Sequence, residues 1–170
     1  MHVQDHKLIF GVALSVILGS TLLSNPANAA EGAASSSATI VAPITISEDQ
    51  GLLFGNLAPT GTAGTATIDT ADGLVVSNVD VLSGVTPKSG AFTVGGGTTA
   101  TYSITLPSTV TMSDGAGGSM TLDNFGHSAG ATPQMSGGAD TFKVGAQLSV
   151  GASQAAGAYT GSYTVTVSYN

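Results

Sequence analysis

The C-terminal stretch AYTGSYTVTVSYN, residues 158–170, alternates between apolar and polar side chains. Four apolar side chains fall on one face of a strand with this period: Tyr163, Val165, Val167 and Tyr169. Hydroxyl residues fill the positions between them. One apolar and one polar face per strand is typical of an antiparallel sheet with one side in water. The stretch therefore predicts a β-strand that packs Tyr163, Val165, Val167 and Tyr169 against a core.

The same period of two recurs along most of the chain. It occurs in the segments 64–69, 73–76, 79–82, 91–94, 100–107, 109–112, 119–125 and 140–151. Glycine, proline and aspartate separate these segments, and no window after residue 30 has a helical period. The pattern predicts an all-β domain over residues 43–170, built as an antiparallel immunoglobulin-like β-sandwich.

The N-terminus reads as a secretory signal. Lys7 precedes the apolar run 8–23, and the small-x-small triplet at residues 27–29 is a typical cleavage site. We predict a signal peptide over residues 1–29 and a secreted, periplasmic or cell-surface location; an uncleaved anchor is the alternative. After cleavage, we expect no stable insertion in a membrane. The remaining chain is long enough for one core.

Charge excludes several classes of partner. The chain has 3 basic and 10 acidic residues and a net charge of −7. Nucleic acid and anionic membranes require clusters of Lys and Arg, so neither is an expected partner. With 8% charged residues and no cysteine, the surface must consist largely of Thr, Ser, Gly and Asn. Such a surface suits an extracellular structural protein better than a cytosolic enzyme.

The sequence offers little material for catalysis. His127 is the single histidine after the signal peptide, and its position in the glycine-rich stretch 126–138 predicts an exposed loop residue. No GxSxG motif accompanies it. Asp69, Asp72, Glu48 and Asp49 resemble turn residues, which commonly bond their own backbone. We therefore predict no catalytic residues, no metal site and no cofactor.

The segment SSSATIVAPITISEDQ, residues 35–50, continues the alternation but contains Pro43. Because proline donates no ladder hydrogen bond, it indicates a sheet edge or a break. We divide the segment there as a hypothesis. Residues 44–46 begin the chain's own sheet, while residues 30–42 form an N-terminal extension that completes a neighbouring molecule, with Ala38, Ile40 and Ala42 as its plug. A first strand of a closed sandwich and a disordered tail are the alternatives.

Four stretches carry a family resemblance: ITISEDQGLLFGNLAP, TYSITLPSTVTM, GGSMTLDNF and FKVGAQLSVGASQAAGAYTGSYTVTVSY. Together they resemble the secreted bacterial domains catalogued as domain of unknown function 4402. That family is similar to spore-coat-U and chaperone–usher pilin domains, which share an LxFG strand, here residues 52–55, and a C-terminal strand, here residues 157–169. The resemblance implies an incomplete sandwich that polymerises by lending a strand. Many pilins carry a disulfide that this chain lacks.

These observations favour a structural or adhesive surface subunit that can polymerise as a pilus-like fibre. Its expected partners are copies of itself, other surface subunits and a periplasmic chaperone. The alternative is a monomeric extracellular module that binds carbohydrate or protein through loops 83–90 and 126–138. An enzyme is the third and weakest hypothesis.

Overall fold

The computed structural model describes residues 30–170. The signal peptide predicted for residues 1–29 lies outside this range. Residues 30–38 are exposed and have no regular secondary structure. Thr39–Asn170 forms a compact unit. Within the described range, no helix has the length and hydropathy needed to cross a membrane.

The described chain is all-β and every strand pair is antiparallel, as the sequence predicted. Its strands are β1 Thr45–Gln50, β2 Asn56–Pro59, β3 Gly64–Ile68, β4 Leu74–Ser77, β5 Val79–Leu82, β6 Gly90–Gly95, β7 Tyr102–Thr105, β8 Thr109–Ser113, β9 Ser119–His127, β10 Ala139–Val150 and β11 Thr166–Tyr169. Seven of them form one sheet, and two ribbons, β2–β5 and β7–β11, complete the fold.

The long strand β10 organises the large sheet. Its first half pairs with β6, and its second half pairs with β9 and β3. β1 pairs with β6, β4 with β3 and β8 with β9, so these three strands lie at edges. Every even residue of β10 from Phe142 to Val150 is buried. One strand therefore supplies apolar side chains to the whole length of the interior.

The interior consists of two apolar clusters. The first core contains Phe54, Ala66, Ile68, Val79, Leu122, Ala146, Leu148 and Val150. The second core contains Phe92, Val94, Tyr102, Met135, Phe142 and Val144. Side chains of the β2–β5 ribbon pack against the first core, and those of β7 and β11 pack against the second. The result is a sandwich-like arrangement in which Phe125 touches both cores.

Three sequence expectations about the strands were wrong. Glu48 and Asp49 belong to β1 and not to a turn, because the ladder with β6 continues through an irregularity between Glu48 and Gln50. The regular C-terminal strand is shorter than 158–170, since only Thr166–Tyr169 pairs with β7. Within residues 52–55, Leu53 forms an isolated bridge to Lys88, and β2 begins only after Gly55.

A bulge in β9 explains why this strand is longer than the sequence suggested. Asn124 has a φ of 50°, and the register with β10 shifts between Asp123 and Gly126. Asn tolerates this left-handed conformation better than most residues. The extra residue lets Leu122 face the first core while Phe125 packs against both. The strand then continues to His127.

Candidate functional site

The N-terminal arm, residues 30–42, is the most exposed part of the described chain. Ala38, Ile40 and Ala42 are all exposed, and Ile40 retains 96% of its accessible surface. β1 begins three residues after Ala42, and Ile44 already packs against the second core. The arm therefore presents an unburied isoleucine next to a segment that is part of the fold.

A tyrosine clasp fixes the root of this arm. The Tyr169 hydroxyl donates a hydrogen bond to the Ala42 carbonyl at 2.7 Å and accepts one from the Gly97 amide at 2.7 Å. Tyr169 is the last residue of β11, so the C-terminal strand holds the start of the folded unit. Residues before Val41 lie on the free side of this clasp.

The remaining residues of the predicted C-terminal face lie beside Tyr169. Tyr163, Val165, Val167 and Tyr169 are half-buried against the second core, while Thr164, Thr166 and Ser168 are exposed. Val167 pairs with Ile104 and Tyr169 with Tyr102 across the β7–β11 ribbon. Their shared role in the structure is to cover the second core.

Tyr163 differs from Tyr169 because its buried hydroxyl has no hydrogen-bond partner. Its ring lies 5.4 Å from the ring of Phe125 and 6.2 Å from that of Phe92, measured between centroids. Burial, with a smaller contribution from the charge of Glu48, raises the pKa of Tyr163 to about 12. The residue is therefore a neutral member of an aromatic cluster.

An apolar groove of about 660 Å³ opens beside the first core. Its floor consists of Met112, Met120, Leu148 and Val150, and one wall is the segment 52–59 with β2. Leu82 and Val85 line the groove as well and are 51% and 46% exposed. The lining contains no charged residue. This groove is where the apolar interior remains open to the surface.

The first wall of the groove depends on Gly55. Its φ is 81°, and a Cβ built there would lie 2.9 Å from the Val85 carbonyl oxygen. A residue with a side chain would therefore be strained and crowded at this point. Asn56 then donates a hydrogen bond to the Ser83 carbonyl, 3.0 Å away, and joins β2 to the loop after β5.

The opposite wall is the small-residue loop 154–159. Gln154 Nε2 donates to the Tyr159 hydroxyl at 2.7 Å and to the Ser119 carbonyl at 3.2 Å. The Tyr159 hydroxyl in turn donates to the Ala155 carbonyl at 2.9 Å. The bond to Ser119 holds the loop against the start of β9, so both walls are fixed by side-chain hydrogen bonds.

An ionic cluster around Asp72 joins three elements. Its carboxylate accepts hydrogen bonds from the Ser89 amide and hydroxyl, at 2.9 and 2.6 Å, and from Lys143 Nζ at 2.8 Å. Lys88 Nζ lies 3.8 Å away. The Lys143 and Ser89 bonds hold the pKa of Asp72 well below its usual range. The cluster connects the turn after β3 with β6 and β10, which is a structural role.

His127 was wrongly predicted as an exposed loop residue. It is the last residue of β9 and is half-buried, and its ring lies 6.3 Å from the Phe142 ring. Its Nδ1 is buried without a hydrogen-bond partner in the described chain. Residues 30–170 hold no group of three or more His, Cys, Asp or Glu side chains that could bind a metal. The candidate functional site therefore consists of the arm and the groove.

Comparison with known proteins adds a family. The model of the family described as "Domain of unknown function (DUF4402)" matches residues 44–169. The chain belongs to this family. No curated protein and no solved structure matches it. The match begins immediately after Pro43, so it covers the DUF4402 domain with its groove and both cores, while the arm precedes it.

The sequence had indicated the arm of this DUF4402 protein but not the groove. The groove brings together segments 52–59, 112–120 and 148–159, and no local pattern reports such distant proximity. The stretch QGLLFG did offer a signal, because three consecutive apolar residues do not fit a strand with one wet face. A weaker signal pointed to the Asp72 cluster. Lys88 and Lys143 are the two lysines of the described range, so an acidic residue that pairs with them could be expected.

Proposed function

We propose that this DUF4402 protein is a secreted or cell-surface structural or adhesive subunit whose copies associate by strand exchange. In this proposal, the arm of one molecule completes the sheet of the next and can build a pilus-like fibre. The partners are further copies or other surface subunits, with a periplasmic chaperone as a candidate that covers open edges before assembly. The protein is proposed to be non-enzymatic.

The observation that carries the proposal is the exposure of Ile40. An isoleucine that remains 96% exposed, next to a half-exposed Val41, gives up the gain from burying its side chain, about 1.5–3 kcal/mol. A strand partner would recover this free energy and pair the backbone of the arm. Ile44, only four residues later, is already packed on the second core. Ile40 is therefore the most exposed large apolar residue of the described range, ahead of Val75 at 70%.

Surface composition supports an association role over a chemical one. The chain has 24 glycines, no cysteine, no tryptophan and 8% charged residues. The edge strand β1 is also exposed over most of its length, and its outer side pairs with no described residue. Such features are typical of proteins that act through shape and sheet edges.

Deletion of residues 30–40 tests the proposal. The shortened protein keeps Ala42 and its clasp, so the folded unit should remain intact. We expect the mature chain from residue 30 to form filaments or ladders of oligomers, seen by electron microscopy and non-denaturing gels, and the shortened chain to elute as a monomer. A matched control, Ser36→Thr, should assemble normally. Filaments formed at the normal rate by the shortened chain would refute the proposal.

A second candidate is a monomeric extracellular binding module for carbohydrate or protein. The groove supports it, since about 660 Å³ lies within the usual size range of ligand sites, about 300–1,000 Å³. Its uncharged lining fits an apolar segment of a protein partner better than a sugar. A sharp monomer in size-exclusion chromatography that binds glycan arrays or a protein ligand would favour this candidate.

A further inference from the structure

The wall of the groove contains an unpaired strand edge. β2 pairs with β5 through the register from Asn56–Leu82 to Pro59–Val79. In the described chain these two strands form a sheet of their own, so the other side of β2 has no strand neighbour. An unpaired edge presents free N–H and C=O groups to an incoming strand. The groove thus offers a backbone template along β2 and an apolar floor beside it.

We infer that this groove along β2 receives the arm of a second copy, with residues 32–41 added as a strand, an inference that rests on the proposed self-association. Ile40 would occupy the space above Met112, Met120 and Leu148. Alternate residues towards the N-terminus, Ala34, Ser36 and Ala38, have small side chains that would lie along the rest of the groove.

Length and charge favour this occupant. β2 itself is four residues long, about 13 Å, and the ten residues 32–41 extend to about 33 Å, so the arm is long enough to pair with all of β2 and continue along the groove. Residues 32–47 carry no charged side chain, and neither does the lining of the groove. Charged residues would lose hydration in such a groove, so an uncharged strand is the matching ligand.

The arm enters the groove of another molecule and not its own. Tyr169 and Gly97 hold Ala42 beside the second core, whereas the groove borders the first core. In this conformation Ile40 is exposed while the groove of the same molecule stays open. A free arm and an open acceptor therefore coexist in one molecule, as an assembly by exchange between copies requires.

Cysteine cross-linking tests the location, because the natural chain has no cysteine. One mature chain carries Ile40→Cys and a second, longer by an affinity tag, carries Ala58→Cys on β2, the strand beside the added arm. We expect mild oxidation of the mixture to give the mixed disulfide dimer at least about tenfold faster than a control mixture with Val75→Cys. Val75 lies on β4 and is 70% exposed, so a cysteine at this control position is accessible. Equal rates in the two mixtures would overturn the inference.

Titration of a synthetic peptide of residues 32–41 into the chain that lacks residues 30–40 separates the two proposals. Binding that weakens at least about tenfold with Ile40→Ala supports the groove even if the full chain forms no filaments. Filaments without peptide binding or 40–58 cross-links would overturn the groove as the acceptor and leave strand exchange at another edge. A hydrophobic dye that binds the groove and is not displaced by the peptide would identify a small-molecule site and overturn the inference.

Discussion

Two tyrosines on the same face of the C-terminal segment use their hydroxyl groups differently. Tyr169 makes two hydrogen bonds of 2.7 Å, whereas the hydroxyl of Tyr163 is buried without a partner. We expect Tyr169→Phe to lower the free energy of unfolding by about 1 kcal/mol, since two bonds are lost but water can reach Ala42. Amide exchange at Gly97 should also accelerate. Urea unfolding and hydrogen exchange measure the two effects.

Tyr163→Phe is the matched control for this prediction. It removes a hydroxyl that makes no hydrogen bond, so the protein should lose no stability and can gain some. A loss in Tyr163→Phe equal to that in Tyr169→Phe would show that the clasp is not what stabilises the C-terminal strand. The alternation in residues 158–170 predicted that both rings face inward, but it could not predict the partners of the Tyr169 hydroxyl, which lie 72 and 127 positions away.

At the scale of elements, the Asp72 cluster connects the turn after β3 to β6 and β10. We expect Asp72→Asn to lower the melting temperature at neutral pH, because it removes the ion pairs with Lys143 and Lys88. Asn also tolerates the φ of 68° at this position, and its amide oxygen can still accept from Ser89, so the change isolates the charge. Asp80→Asn, on exposed β5, is the control and should change little.

The difference between wild type and Asp72→Asn should depend on pH. The pKa of Asp72 in the folded protein lies well below its ordinary value of 3.8, so the carboxylate stabilises the fold above that value. This contribution is lost as the pH falls from 3.8 through the folded pKa. The difference in melting temperature between the two proteins should therefore be largest at about pH 7 and clearly smaller at about pH 2. A constant difference would contradict the ionic origin of the effect.

Alternation along the sequence located most strands because each buries one face in an antiparallel sheet. It failed where pairing with a distant strand decides the outcome. The bulge at Asn124 extends β9 to His127, and its cause is the register opposite β10. Glu48 and Asp49 similarly remain in β1 because β6 pairs with them through an irregularity. Local composition alone cannot distinguish such positions from turns.

For the whole molecule, the all-β class could be predicted because it follows from local patterns. The groove could not, since its floor and two walls come from segments up to about a hundred residues apart. The proposed self-association would join two uncharged surfaces of a molecule whose net charge is −7.

The response to salt follows from that charge distribution. Each copy carries a net charge of −7, and loss of residues 1–29 would remove Asp5 and Lys7 together and leave it unchanged. Copies therefore repel one another, while neither the groove nor residues 32–47 can contribute an ion pair. Raising NaCl from about 0.01 M to about 1 M shortens the Debye length from about 30 Å to about 3 Å.

We expect association in sedimentation velocity to strengthen over this range and the chain lacking residues 30–40 to stay monomeric throughout. Dissociation in about 1 M NaCl would mean that ion pairs, and not the uncharged arm, hold the copies together.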